Sequence, residues 1–105
     1  MLRDREMESL LLDYYGDLLT NHQKQILDEY FNEDLSMNEI AENLSISKSA
    51  VQDLIKRSLV QLKNYEKALK MIEHDRKIKE ILQEMQDDND VHLDKYRKKL
   101  EKIVR

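Results

Sequence analysis

Gly16 is the only glycine in 105 residues, and there is no proline. A strand-rich fold needs turn residues at short intervals, so this scarcity weighs against sheets. Leu, Ile, Lys, Glu and Gln are plentiful, and all five favour helix. The expectation is an all-α chain of about six helices. The length suits one domain over residues 1–105, with a helix-turn-helix module in 1–73 and a C-terminal helical extension in 74–105.

Helix starts are marked by side-chain caps. Met7, Leu10, Leu11, Tyr14 and Leu18 recur at three- and four-residue spacing and predict one apolar face on a first helix over about 2–18. Thr20 with Gln23, and Ser36 with Glu39, match capping boxes, in which the hydroxyl and the longer polar side chain satisfy each other's backbone amides. They open a second helix over about 21–32 and a third over 37–44. "SIS" at 45–47 makes a turn, and Ser47 is positioned to cap a fourth helix with no breaker until about residue 73. Along it Val51, Ile55, Ser58, Leu62, Tyr65, Leu69 and Ile72 form a stripe suited to a long helix against a neighbour. A fifth helix carries Ile78, Ile81, Leu82 and Met85. A sixth, capped by Asp90, carries Leu93, Tyr96, Leu100, Ile103 and Val104 on one side.

The stretch 36–62 has helix-turn-helix spacing. Ala41 is small enough to let the two helices approach closely, and Ile40, Leu44, Ile46, Val51 and Ile55 would fix their angle. In DNA readers that geometry puts the front of the second helix into the major groove. The charge does not match a typical DNA reader. The chain has net charge −4; residues 1–62 hold 6 basic and 12 acidic residues, whereas 63–105 hold 12 basic and 10 acidic.

Residues 19–62 resemble region 4 of bacterial sigma factors. The likeness rests on Leu19, Thr20, Gln23, Ile26, Leu27, Leu35, Ser36, Glu39, Ile40, Ala41, Leu44, Ile46, Ser47, Val51, Arg57 and Leu62. The helical start "MESLLLDYYGDLLTNHQ", the basic tail and the length are similar to the YlxM family of small bacterial proteins. That resemblance implies a regulatory or accessory role in the signal recognition particle pathway, with the particle's RNA or GTPase as partner. The alternative is a DNA-binding transcriptional regulator related to sigma region 4.

The departures bear on function. Sigma-like recognition helices usually carry Arg or Lys at positions matching Gln52, Leu54, Leu59, Val60 and Gln61, and none is basic here. At ~100° per residue the outward face of the fourth helix shows Ser49, Gln52, Asp53, Lys56, Arg57, Val60 and Lys63. Ser47, Lys48, Ser49, Gln52, Lys56 and Arg57 are the candidate nucleic-acid contacts; glutamine suits adenine and arginine suits guanine. Asp53 would repel phosphate. Leu54, Leu59 and Val60 widen the apolar face, either for intrachain packing or for a homodimer or partner.

In the tail, Lys95, Lys98, Lys99 and Lys102 form a second basic patch. It is either a solvated surface that suits the C-terminal end of a helix dipole or a phosphate-contacting surface for folded RNA. His22, His74 and His92 share no ligand spacing, and the chain has no cysteine, so neither a metal nor any other cofactor is expected. No nucleophile–base pairing or glycine-rich phosphate loop points to an enzyme. No apolar run approaches a membrane span and the charged start does not match a signal peptide, so the expectation is a cytoplasmic protein.

Overall fold

The computed structural model describes residues 4–87 and 93–104, which contain six α-helices and no strand. They are α1 (Asp4–Tyr15), α2 (Asn21–Phe31), α3 (Met37–Leu44), α4 (Lys48–Leu69), α5 (Met71–Asp87) and α6 (Asp94–Glu101). They fall into two compact units, Met1–Leu69 and Lys70–Arg105.

In the first unit α4 is the spine on which α1, α2 and α3 pack. Val51, Ile55, Ser58 and Leu62 are its buried residues, joined by Leu11, Leu12, Tyr15, Leu19, Ile26, Leu27, Ile40 and Ala41. The capping boxes form as the sequence predicts. Thr20 Oγ1 accepts from the Gln23 amide at 3.2 Å, and Ser36 Oγ accepts from the Glu39 amide at 3.1 Å. Ser47 Oγ accepts from the Ala50 amide at 3.0 Å and starts α4.

Gln23 does more than cap. Its Oε1 accepts from the Thr20 amide, and its Nε2 donates to Ser58 Oγ and to Gln61 Oε1, both at 3.1 Å. Gln61 Nε2 then donates to the Tyr65 hydroxyl at 2.8 Å. The fully buried Ser58 hydroxyl therefore has a partner, as a buried polar group requires. Tyr15 ties α1 to the same helix by donating its hydroxyl to Glu66 Oε1, with its ring 6.1 Å from that of Tyr65. Arg5 anchors the other end of α1. Its guanidinium lies 4.7 Å over the Tyr30 ring and 5.1 Å over Phe31, and it donates to the Tyr30 carbonyl.

Three expectations are corrected. The first helix ends at Tyr15 rather than near 18; Gly16–Leu18 form a 3-10 turn that leaves Leu18 exposed and buries Leu12 and Tyr15 instead. A Cβ at Gly16 would meet Leu12 Cδ1 at 3.1 Å, a tight approach that any larger residue would have to relieve by shifting the leucine. The fourth helix stops at Leu69 rather than near 73, because Lys70 adopts a left-handed φ of 56° that cannot continue the helix, and Ile72 belongs to α5. In the sixth helix Leu93, not Asp90, stands at the cap position; Asp90 lies outside the described residues.

In the second unit α5 packs against α6. Ile72 and Leu82 are buried, while α6 buries no residue completely.

Candidate nucleic-acid interface

The turn between α3 and α4 is sharp because Ser45 takes a left-handed conformation, φ 55° and ψ 42°. Its amide donates to the Ala41 and Glu42 carbonyls, and the Ile46 amide donates to Ala41 at 3.0 Å. Glycine is the usual residue in that conformation. With Ile40 and Val51 fully buried on either side, the two helices form a helix-turn-helix whose second member is α4.

All seven residues expected on the outward face of α4 are exposed: Ser49, Gln52, Asp53, Lys56, Arg57, Val60 and Lys63. Lys48 and Ser49 are exposed in its first turn, and Ser47, also exposed, keeps its hydroxyl hydrogen free to donate while its oxygen caps. Arg57 is committed, because its Nε lies 3.0 Å from Asp53 Oδ2 one turn back. The middle of the face is thus a neutral ion pair beside an exposed Val60. The cations without an ion pair to a described residue are Lys48, Lys56 and Lys63. The four-residue spacing of Asp53 and Arg57 was the sequence signal for that pair.

The five positions lacking cations do not all face solvent. Leu54, Leu59 and Gln61 are half-buried, and Gln61 is held between Gln23 and Tyr65, so only Gln52 and Val60 are exposed positions that lack a charge. Packing explains the uncharged residues at three of those positions.

In the second unit Lys95, Lys98, Lys99 and Lys102 are all exposed. The apolar side expected of α6 is buried only in part. Leu93, Leu100 and Val104 are half-buried, but Tyr96 and Ile103 are 55% and 74% exposed. Arg97 is half-buried, bonded to Asp94 and Glu101. That contact, joined by Lys98 at 3.2 Å, holds the Asp94 carboxyl below the ordinary carboxylate range and raises Arg97 further.

His22 and His74 are exposed, and His92 lies outside the described residues. No group of three His, Cys, Asp or Glu is arranged to hold a metal among the described residues, and no described helix is long and apolar enough to cross a membrane.

The profile of the family described as "Putative helix-turn-helix protein, YlxM / p13 like" (UPF0122) matches residues 2–103. The chain belongs to this family. Among its relatives, a UPF0122 protein of Clostridium kluyveri is 47% identical over 79 residues, covering 75% of this chain and 71% of its own. One from Malacoplasma penetrans is 43% identical over 86 residues, 82% and 80% of the two chains. One from Clostridium perfringens strain 13 is 43% identical over 103 residues, 91% and 92%. The family match spans both units, so α5 and α6 belong to the family's sequence along with the helix-turn-helix.

Proposed function

We propose that this chain is a non-enzymatic regulatory or accessory protein of the signal recognition particle pathway that works in the cytoplasm by contacting nucleic acid. The particle's RNA is the favoured partner, with its GTPase a further one. The observation that carries the nucleic-acid part is the exposed face of α4 on a helix-turn-helix frame. It presents Ser47, Lys48, Ser49, Gln52 and Lys56 together with an Arg57 that Asp53 already neutralises. Few free cations mean few displaced counterions, hence weak binding to duplex DNA, and with Gln52 and a paired Arg57 as the side chains suited to base edges, little sequence selectivity. The pathway itself rests on the resemblance to the YlxM family.

Anisotropy titrations of the full chain against particle RNA and against promoter duplex, over a salt series, test this reading. Tighter binding to the RNA supports it. Tight, sequence-specific duplex binding at physiological salt overturns it in favour of a transcriptional regulator, a reading that Gln52 and Arg57 on one exposed face would serve. Homodimerisation is part of the proposal, with the exposed Val60 beside the half-buried Leu59 of α4 as its candidate contact. Sedimentation as a monomer across the micromolar range would remove it.

A further inference from the structure

We infer that α6 carries a stacking platform for an unpaired nucleotide, built from Tyr96 between Lys95 and Lys99. This rests on the nucleic-acid reading above but places a distinct contact on a distinct helix. The Lys95 and Lys99 ammonium groups each lie 5.9 Å from the centroid of the Tyr96 ring, which is 55% exposed. A tyrosine that served only the α5–α6 contact would turn inward with Leu93, Leu100 and Val104. Tyr96 instead lies at the edge of that arc and is more than half exposed, with Lys95 and Lys99 beside its ring.

The acids of α6 leave the lysines beside the ring uncompensated. Asp94 is bonded to Arg97 and Lys98, and Glu101 to Arg97, so Lys95, Lys99 and Lys102 have no ion pair with a described residue. An exposed aromatic ring with two ammonium groups within 6 Å of its centroid combines the two elements by which proteins hold single strands, a ring on which a base can stack and cations for the phosphates. A duplex fits it less well, because paired bases are already stacked and show no free face. An anionic membrane is the other chemistry that combines lysine with exposed apolar side chains. An interfacial helix, however, must bury a broad apolar face. Only Tyr96 and Ile103 project here, and the rest of the apolar side is turned inward.

The test titrates the full chain with fluorescein-labelled oligouridylate, oligothymidylate, a blunt RNA duplex and phosphatidylglycerol vesicles. Tyr96→Ala should lower oligouridylate affinity by about tenfold with an unchanged salt slope, and Tyr96→Phe should restore it. Lys95→Gln with Lys99→Gln should weaken binding and shallow the slope by about 0.7 for each phosphate that is no longer neutralised. Equal decreases on oligothymidylate would identify any unpaired strand as the ligand; decreases confined to oligouridylate would identify RNA. The exposure of Tyr96 keeps its variants folded, which circular dichroism verifies. Wild-type affinity in Tyr96→Ala overturns the platform, as does Tyr96-dependent binding to the duplex or the vesicles. Lys56→Gln with Arg57→Gln separates the two proposals. If it weakens duplex or particle RNA while Tyr96→Ala changes nothing, the α4 reading stands and the platform falls.

Discussion

The two units order their helices by different means. In Met1–Leu69 the helices converge on a core in which Ile26, Leu27, Ile40, Val51, Ser58 and Leu62 are fully buried, and side-chain hydrogen bonds cross from α1 and α2 to α4. In Lys70–Arg105 the buried residues among those described are Ile72 and Leu82, neither of them completely, and ion pairs join residues three or four apart on one helix, among them Glu73–Lys77, Asp94–Arg97, Asp94–Lys98 and Arg97–Glu101. Long-range burial brings cooperativity, whereas local pairs add only tenths of a kcal/mol each. The first unit should therefore respond to substitution in its interior and the second to its local charges.

The sharpest way to break that contrast is to put a charge at two isoleucines. Ile40→Asp places an unpaired carboxylate where exposure is zero, at a cost of several kcal/mol, and should abolish the cooperative melt of the first unit. Ile103→Asp, at a site 74% exposed, should leave the melting curve nearly unchanged. Similar melts for both variants would deny the difference in burial. A smaller effect is expected at Gln23, whose one amide caps α2 and holds α4. Gln23→Ala should lower urea stability by about 1–3 kcal/mol, since it also strips the buried Ser58 hydroxyl of its partner. Thr20→Ala, which loses the cap hydroxyl alone, should cost about 1 kcal/mol. If the two variants cost the same, the bridge to α4 adds nothing.

Helix starts were more legible in the sequence than helix ends, for a physical reason. A start is announced by a side chain that reaches its own backbone, so Thr20, Ser36 and Ser47 could be read directly. The end of α4 depends on Lys70 taking a left-handed backbone conformation without glycine, and Lys gives no such notice. The outward face of α4 was legible because a long helix with a strong stripe fixes its own phase. In the eight residues of α6 the spacing did not tell how deep each residue would sit: Tyr96 stays exposed, while Arg97, paired with Asp94 and Glu101 of the same helix, is half-buried. The contact from Gln23 to Ser58 spans 35 residues, and no local pattern encodes it.

The candidate interfaces extend the comparison, because α4 spends a cation on Asp53 whereas Lys95 and Lys99 border an aromatic ring instead. Asp53→Arg releases Arg57 and adds a further cation, so duplex affinity at low salt should rise and its salt slope steepen by about 0.9 for each additional phosphate neutralised. Melting should barely move, both side chains being largely exposed. Unchanged affinity would mean that this face does not meet phosphate at all.

The smallest effect expected lies in the pH response of α6. Asp94 is held below its ordinary value of 3.8 chiefly by the Arg97 hydrogen bond and then by Lys98. A carboxylate with a depressed folded value stabilises its surroundings at any pH above the unfolded value and loses that contribution as pH falls through the folded one. From neutrality down to about pH 4 the start of α6 should therefore hold, loosening only in more acid solution. Glu73, lowered by Lys77, makes the same prediction for the first turn of α5. Amide exchange measured by NMR across that range, residue by residue, reads both helices separately. Asp94→Asn removes the titrating group while keeping a side chain able to accept from Arg97. It should flatten the acid response of α6 and leave that of α5 intact. An unaltered response in α6 would show that Asp94 does not set its acid sensitivity, and the charges at the start of the helix would then not be what orders it.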